Sequence, residues 1–102
     1  AALLTLRRTV VQRQVNSNTF TIETWFRRDG AGTAAATTGG SGGVTAIPLV
    51  TKGRSESGAS LNWFLGIDQA TGRLAADFES ASDDSNHGIV GNTPIVNGIW
   101  YH

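Results

Sequence analysis

Several features that would point to a particular class of protein are missing from this chain of 102 residues. Without cysteine, it can form neither a disulfide nor a thiolate metal site. Charged residues make up only 16% of the chain, and its eight basic and eight acidic residues cancel. Net charge therefore gives no argument for binding nucleic acid or an anionic membrane surface. No apolar run approaches the ~20 residues that a membrane-spanning helix needs.

The abundant residues indicate strands joined by turns. Gly, Thr, Ser and Ala are frequent, which is typical of small-residue turns between strands, and the length allows at most one domain. The chain begins with Ala1, and Arg7 and Arg8 follow its first apolar residues, whereas a signal peptide carries its charge before the apolar stretch. We expect a cut N-terminus, so the lack of a visible signal carries no information about secretion.

The N-terminal part of the chain contains one ambiguous segment and one clear strand. Residues 1–15 fit a helical spacing, but residues 9–15 fit a strand equally well. Residues 19–28 alternate with a period of two and are rich in β-branched and aromatic residues, which predicts a strand. The face of that strand expected to meet the core carries Phe20, Ile22, Thr24 and Phe26. Trp25 lies on the opposite face.

The segments that follow read as strands and loops without a helix. Residues 29–45 form a Gly/Ala/Thr/Ser tract with too little apolar area to order itself, so we expect a disordered loop. A short strand is predicted over residues 46–52 and another around residues 88–96, with a polar loop over residues 80–88. Asn97-Gly98 predicts a two-residue hairpin into a final strand that begins at Ile99. The fold class is therefore antiparallel all-β.

The register of one hairpin can be derived from the sequence. If residues 69–72 form a four-residue loop, three apolar pairs lie opposite each other: Ile67 and Leu74, Leu65 and Ala76, and Trp63 and Phe78. The same register sets Asp68 against Arg73, a favourable cross-strand pair. A shift by one residue would mix the apolar and polar faces, so the four-residue loop is preferred.

Four segments of the chain resemble a laminin-G-like domain of the concanavalin A-like lectin/glucanase superfamily. These segments are Phe20-Thr21-Ile22-Glu23-Thr24-Trp25-Phe26, Ile47-Pro48-Leu49-Val50-Thr51-Lys52-Gly53, Phe64-Leu65-Gly66-Ile67-Asp68 with Gly72-Arg73-Leu74, and Gly98-Ile99-Trp100-Tyr101-His102. Their order and spacing resemble the family from residue 19 to residue 102. The resemblance is closest to the laminin-G-like modules of large secreted bacterial proteins.

The resemblance implies an antiparallel jelly-roll β-sandwich in an extracellular or cell-surface protein of bacterial origin. Residues 1–18 do not match the usual first strand of the family, so we treat them as an N-terminal segment of uncertain structure, and residues 19–102 as the partial domain. Sandwiches of roughly 200 residues are common, so we expect about half of the fold to lie beyond His102. An isolated half-sandwich leaves strand edges uncovered, and we expect poor solubility.

Paired carboxylates are the first candidate for chemistry. Asp77 and Glu79 lie two residues apart on one strand, hence on one face and roughly 6.6 Å apart along it. This spacing is compatible with a glycosidase acid–base pair, but the run lacks the Glu-x-Asp-x-x-Glu pattern of related β-glucanases. Two solvated carboxylates on a polar face explain the pattern equally well.

Calcium is the second candidate, because the family resemblance implies a Ca²⁺ ion at the rim of the sandwich. Asp83, Asp84 and Asn86 offer hard oxygen ligands in one loop, as Ca²⁺ requires, and Glu79 could reach that loop. Asp, Asn and Ser are also ordinary turn residues. A solvated acidic turn is the alternative.

Aromatic side chains on polar faces are the third candidate. Trp25 lies opposite the apolar face of its strand, and Phe64 shares a predicted polar face with Asp77 and Glu79. Sugar rings stack on such aromatic groups while nearby polar groups bind hydroxyls. The alternative is that a loop or a second sheet covers both rings, since large aromatic residues are mostly buried. We expect Trp63 and Trp100 in the core.

These features favour a non-catalytic binding module that recognises a glycan or an extracellular protein, with calcium as a candidate ligand. The ligand-binding candidates are Trp25, Phe64, Asp77 and Glu79, and the metal candidates are Asp83, Asp84 and Asn86. Two alternatives stay open: a glycoside hydrolase or lyase of the same superfamily, and a structural spacer without a ligand. The absence of Cys also excludes a thiol nucleophile.

Overall fold

The computed structural model describes residues 4–9, 19–37, 42–53, 61–80 and 85–102. Within these ranges the chain forms eight strands and no helix, which confirms the all-β prediction. None of the described segments provides a helix that could cross a membrane. The strands are β1 (Leu4–Thr9), β2 (Thr24–Arg28), β3 (Ala35–Ala36), β4 (Thr45–Gly53), β5 (Leu61–Asp68), β6 (Arg73–Phe78), β7 (Ile89–Pro94) and β8 (Trp100–Tyr101).

The described strands form two antiparallel sheets that share an apolar core. Sheet A has the order β1-β2-β8, and sheet B has the order β3-β4-β5-β6-β7. The core cluster joins Phe26 of sheet A to five residues of sheet B. Those five are Ile47, Leu49, Val50, Trp63 and Ile67. This two-sheet arrangement is compatible with a β-sandwich, in which each sheet buries one face against the other.

The N-terminal strands differ in position from the sequence prediction. The sequence leaves residues 1–15 open between a helix and a strand; Leu4–Thr9 form strand β1, which pairs with β2, whereas residues 10–18 lie outside the described ranges. β2 starts at Thr24 rather than at residue 19. The predicted alternation is confirmed within β2, because Phe26 is buried while Trp25 is 52% exposed.

The predicted register of the β5–β6 hairpin is confirmed. Ile67 lies opposite Leu74, Leu65 opposite Ala76, and Trp63 opposite Phe78. The predicted ion pair between Asp68 and Arg73 is wrong. The Asp68 carboxylate accepts hydrogen bonds from the backbone N–H and the hydroxyl of Thr71 at 2.9 and 2.7 Å. These local bonds close the turn and use the carboxylate that the cross-strand pair would need.

The small-residue tract at residues 29–45 is ordered in the parts that the structure describes. β3 pairs with the start of β4, and Thr37 and Val44 close a loop between them. The Thr37 N–H donates to the Val44 carbonyl at 2.8 Å, and the Val44 N–H donates to the Thr37 hydroxyl at 2.7 Å. The expectation of disorder is therefore wrong for residues 29–37 and 42–45. Hydrogen bonds order this tract together with the packing of Ala34 and Val44 against the apolar clusters.

The turn at Asn97-Gly98 forms, but it does not make a hairpin. Gly98 has φ +79°, as such a turn requires. However, β7 pairs with β6 in sheet B, while β8 pairs with β2 in sheet A. Ile95 packs against the core, and the Gly98 N–H donates to the Arg28 carbonyl at 2.8 Å. The chain therefore crosses from one sheet to the other, and the hairpin prediction is wrong.

Candidate functional site

The outward side of sheet A carries a ladder of aromatic and cationic side chains, which we name the aromatic face. It consists of Trp25, Arg27, Trp100 and His102. Arg27 lies directly opposite Trp100 in the pairing of β2 with β8. Two residues along each strand, the rings of Trp25 and His102 stack with centroids 4.8 Å apart and planes 18° apart. Alternation along both strands therefore brings all four side chains to one side of the sheet.

Both tryptophans of this face are open to solvent. Trp25 is 52% exposed and Trp100 is 37% exposed. The prediction that Trp100 lies in the core is wrong, because its neighbour Tyr101 points inward and stacks on Phe26 at 5.5 Å. Trp63 is 7% exposed, and its predicted core position is confirmed. Large aromatic residues are mostly buried, so two exposed indoles on one face are informative.

Charged side chains lie within the aromatic face and at both of its ends. The Arg27 guanidinium lies 5.4 Å from the ring centre of Trp100, within cation–π range. It also donates two hydrogen bonds to the Asp29 carboxylate, at 2.8 and 3.0 Å. The hydrogen bond and the negative charge of Asp29 raise the pKa of Arg27 above its already high value. At the other end of the face, Glu23 lies 3.9 Å from His102.

The outward side of sheet B is different, because its aromatic residue is covered. Phe64 is only 3% exposed and packs with Ala46 and Ala75, with Val44 against this cluster. Its ring also fills the space above Gly66, where a Cβ atom would meet the ring. The ring is therefore closed to solvent. This agrees with the alternative interpretation, in which a loop or a second sheet covers it.

Asp77 is buried rather than solvated. It lies opposite Phe64 in the β5–β6 register and is 4% exposed. Its Oδ1 atom accepts a hydrogen bond from the His87 N–H at 2.8 Å, whereas Oδ2 is buried without a hydrogen-bond partner. The cover arises because residues 85–88 fold back over the strand end, where the Gly88 N–H donates to the Gly42 carbonyl at 3.1 Å.

The remaining candidates lie at the same end of β6 and are only partly described. Glu79 forms an isolated bridge with Asn86, and Asn86 is 5% exposed. Asp83 and Asp84 lie outside the described residues. Within the described ranges, no group of three or more His, Cys, Asp or Glu could hold a metal ion. A calcium site here therefore depends on Asp83 and Asp84 and stays a prediction.

The structure does not gather the four predicted ligand-binding residues into one site. Trp25 lies on the outward side of sheet A, while Phe64, Asp77 and Glu79 belong to the outward side of sheet B and its end. The alternation of residues 19–28 already puts Arg27 on the same side of its strand as Trp25. Sequence reasoning missed Trp100 and His102, because their contact with Trp25 depends on the pairing of β2 with β8.

No protein-family model, curated protein sequence or solved structure matches this chain significantly. Function therefore has to be argued from the geometry of the two outward sides and from the residues that form them.

Proposed function

We propose that this chain is a non-catalytic binding module and that its aromatic face recognises a glycan. The observation that carries this proposal is the pair of exposed indoles, Trp25 and Trp100, on one side of sheet A. A flat, open aromatic surface suits the C–H faces of sugar rings. Neighbouring polar groups suit their hydroxyls, and a few well-placed polar groups are what fix ligand orientation in binding sites.

The aromatic rings are held in place before a ligand arrives. His102 stacks on Trp25, and Arg27, fixed by its two hydrogen bonds to Asp29, lies over Trp100. Ordering side chains during binding costs free energy, so rings that are already held lose less conformational freedom. Glu23 and Asp29 balance the positive charge of Arg27, which favours neutral sugars over strongly anionic ones.

The proposal is non-catalytic because the paired carboxylates are poorly placed for acid–base work. Asp77 is 4% exposed and one of its oxygens already accepts the His87 N–H. A glycosidase pair must flank a sugar bond that enters from solvent. This arrangement favours a binding module over the hydrolase or lyase alternative.

The resemblance in four segments supports a laminin-G-like jelly roll as the finer description of the fold. It also supports a place in a secreted or cell-surface protein with several modules, where the partner is a glycan or an extracellular protein. The observed all-β, two-sheet architecture is compatible with this description.

The decisive experiment is a glycan-binding screen with matched variants. The unmodified chain is tested against neutral and acidic oligosaccharides, and affinities for any binder are measured by calorimetry. We expect Trp25→Ala and Trp100→Ala each to weaken binding at least about tenfold, as central aromatic anchors do.

Phe20→Ala is the matched control, because Phe20 is an exposed aromatic residue outside the aromatic face, 43% exposed. Its affinity should equal that of the unmodified chain. Equal binding by Trp25→Ala and the unmodified chain would remove the aromatic face as the glycan site.

Calcium is a second part of the proposal, at the end of β6. The Oδ2 atom of Asp77, which is buried without a hydrogen-bond partner, supports this part, because Asp77 stands near the end of β6 and Asp83 and Asp84 follow it closely in sequence. Ca²⁺ takes 6–8 such oxygens. We expect CaCl₂ to raise the melting temperature, EDTA to reverse the effect, and Asp83→Asn with Asp84→Asn to abolish it. MgCl₂ at the same concentration is the control.

A further inference from the structure

We propose that Asn97 is a site of spontaneous deamidation and that the fold restrains this reaction through a hydrogen bond at Gly98. The two residues form an exposed turn between β7 and β8. Of the asparagines in the sequence, Asn97 is the one that glycine follows, whereas the others precede Ser, Thr, Trp or His. Glycine has no Cβ atom, so its backbone nitrogen is the least shielded from the asparagine side chain before it.

The reaction consumes water and releases ammonia. The Gly98 backbone nitrogen loses its proton to solvent and attacks Cγ of Asn97, where a C–N bond forms and the side-chain amide leaves as ammonia. Water then opens the five-membered succinimide ring. Hydrolysis at the former side-chain carbon gives aspartate, and hydrolysis at the main-chain carbonyl gives isoaspartate, in which the main chain runs through the former side chain.

The fold holds the reacting nitrogen in a hydrogen bond. Three backbone N–H groups around the turn donate such bonds: Ile95 to the Gly72 carbonyl at 2.7 Å, Val96 to the Tyr101 hydroxyl at 2.9 Å, and Gly98 to the Arg28 carbonyl at 2.8 Å. The third bond engages the nitrogen that must attack. Deamidation of the folded chain therefore requires a local opening that separates Gly98 from the end of β2.

Asp29-Gly30, at the end of β2, is a second pair that could close the same ring. However, the Asp29 carboxylate accepts two hydrogen bonds from Arg27, at 2.8 and 3.0 Å. An ionised carboxylate is a poor electrophile, and these bonds stabilise its ionised form. The amide of Asn97 carries no such charge, so we assign the reaction to Asn97.

Isoaspartate at position 97 would disturb the pairing of β8 with β2. It adds one carbon atom to the main chain between Ile95, which packs against the core, and Trp100, which pairs with Arg27. Because β8 comprises only Trp100–Tyr101, few ladder contacts hold its register against this extra length. We therefore expect isoaspartate to displace the part of the aromatic face that follows the turn.

The test compares deamidation of the whole chain at neutral pH in buffer and in guanidinium chloride. Tryptic peptide 74–102 contains Asn86, Asn92 and Asn97, and fragmentation mass spectrometry locates the replacement of –NH₂ by –OH. We expect Asn97 to react at least about tenfold faster in denaturant, because folding closes the turn. Asn92, in the exposed strand β7, should react at neither rate. Equal rates at Asn97 in both conditions, or no reaction there in denaturant, would overturn the proposal.

Two variants test the restraint within the folded chain. Tyr101→Phe keeps the ring but removes the hydroxyl that holds Val96, so deamidation at Asn97 should become several-fold faster. Thr51→Val is the matched control, because it removes a hydroxyl that donates to the Trp63 carbonyl in sheet B, and it should leave the rate unchanged. An unchanged rate in Tyr101→Phe, or an equal increase in both variants, would contradict the restraint.

The two products test the structural consequence. Asn97→Asp adds the charge without the extra main-chain carbon and should leave the indole ¹H–¹⁵N signals of Trp25 and Trp100 in place. The isoaspartate fraction, separated by chromatography, should shift both signals, while that of Trp63 in the core stays unchanged. Unshifted Trp25 and Trp100 signals in this fraction would overturn the displacement of β8. These measurements use no glycan, so their outcome is independent of the proposed function.

Discussion

The two outward sides of this sandwich carry similar residue patterns and have opposite environments. On sheet A, Trp25 stands in an alternating strand and is 52% exposed. On sheet B, Phe64 stands in an equally regular strand and is 3% exposed. The difference lies in what surrounds each strand, since Val44 packs against the cluster that contains Phe64, whereas Trp25 contacts His102 in its own sheet.

The comparison shows how one sheet face can stabilise the fold while the other stays available for a ligand. Phe64 packs with the small residues Ala46 and Ala75, and its ring occupies the space above Gly66. Trp25 and Trp100 instead have Arg27 and His102 as neighbours. We therefore expect substitutions to Ala on the outward side of sheet B to lower the stability of the fold. Substitutions to Ala on the outward side of sheet A should instead lower ligand binding.

The largest expected effect tests the stabilising side. Phe64→Ala should lower the free energy of unfolding by about 3–5 kcal/mol, the usual cost of removing a buried Phe. That is a large part of the 5–15 kcal/mol that a typical domain has. Urea unfolding followed by circular dichroism measures it. A loss below about 1 kcal/mol would mean that Phe64 is not a packing residue. It would contradict the stabilising role assigned to the outward side of sheet B.

A smaller effect tests the contact between Phe64 and Gly66. A Cβ atom on Gly66 would meet the Phe64 ring and the Ile47 carbonyl at 2.5 Å, so Gly66→Ala should cost about 1–3 kcal/mol through overpacking. Gly91→Ala is the matched control in β7, the described edge strand of the same sheet, where the nearest atom is 3.6 Å away. Equal unfolding midpoints for the two variants would contradict the role of Gly66.

The smallest stability effect is expected on sheet A. Trp25→Ala removes a stacked cross-strand pair with His102, and such pairs contribute roughly 0.2–1 kcal/mol. The same urea measurement checks this value. The free energy of unfolding of Trp25→Phe should lie between that of Trp25→Ala and that of the unmodified chain. If Trp25→Ala costs as much as Phe64→Ala, Trp25 is a structural residue, and reduced glycan binding by that variant would reflect unfolding.

Residue patterns within single strands and turns predicted the features of the fold that depend on residues close together in sequence. The register of β5 and β6 followed from their alternation and from a four-residue loop, because a one-residue slip would expose the apolar side. The turn at Asn97-Gly98 also formed, with Gly98 at positive φ. The sheet that β8 joins depends on the packing of Ile95 against the core. The Asn97-Gly98 dipeptide carries no information about that packing.

The candidate site was predicted less completely, because exposure depends on loops that are distant in sequence. The alternation of residues around Trp25 correctly predicted that its side chain lies on the side of the strand opposite the core. The burial of Phe64 and Asp77 depends on Val44 and on residues 85–88, which reach sheet B only after the chain has folded. The partnership of Arg27 with Trp100 depends on pairing between β2 and β8, for which the sequence has no local pattern.

That pairing has a consequence for the order of events during biosynthesis. Phe26 and Tyr101 are register partners, so the aromatic face closes a very long loop, and contacts between residues far apart in sequence form slowly. A growing chain on the ribosome carries Trp25 well before Trp100 is synthesised. The aromatic face can therefore form only after Trp100 has been synthesised, 75 residues later than Trp25.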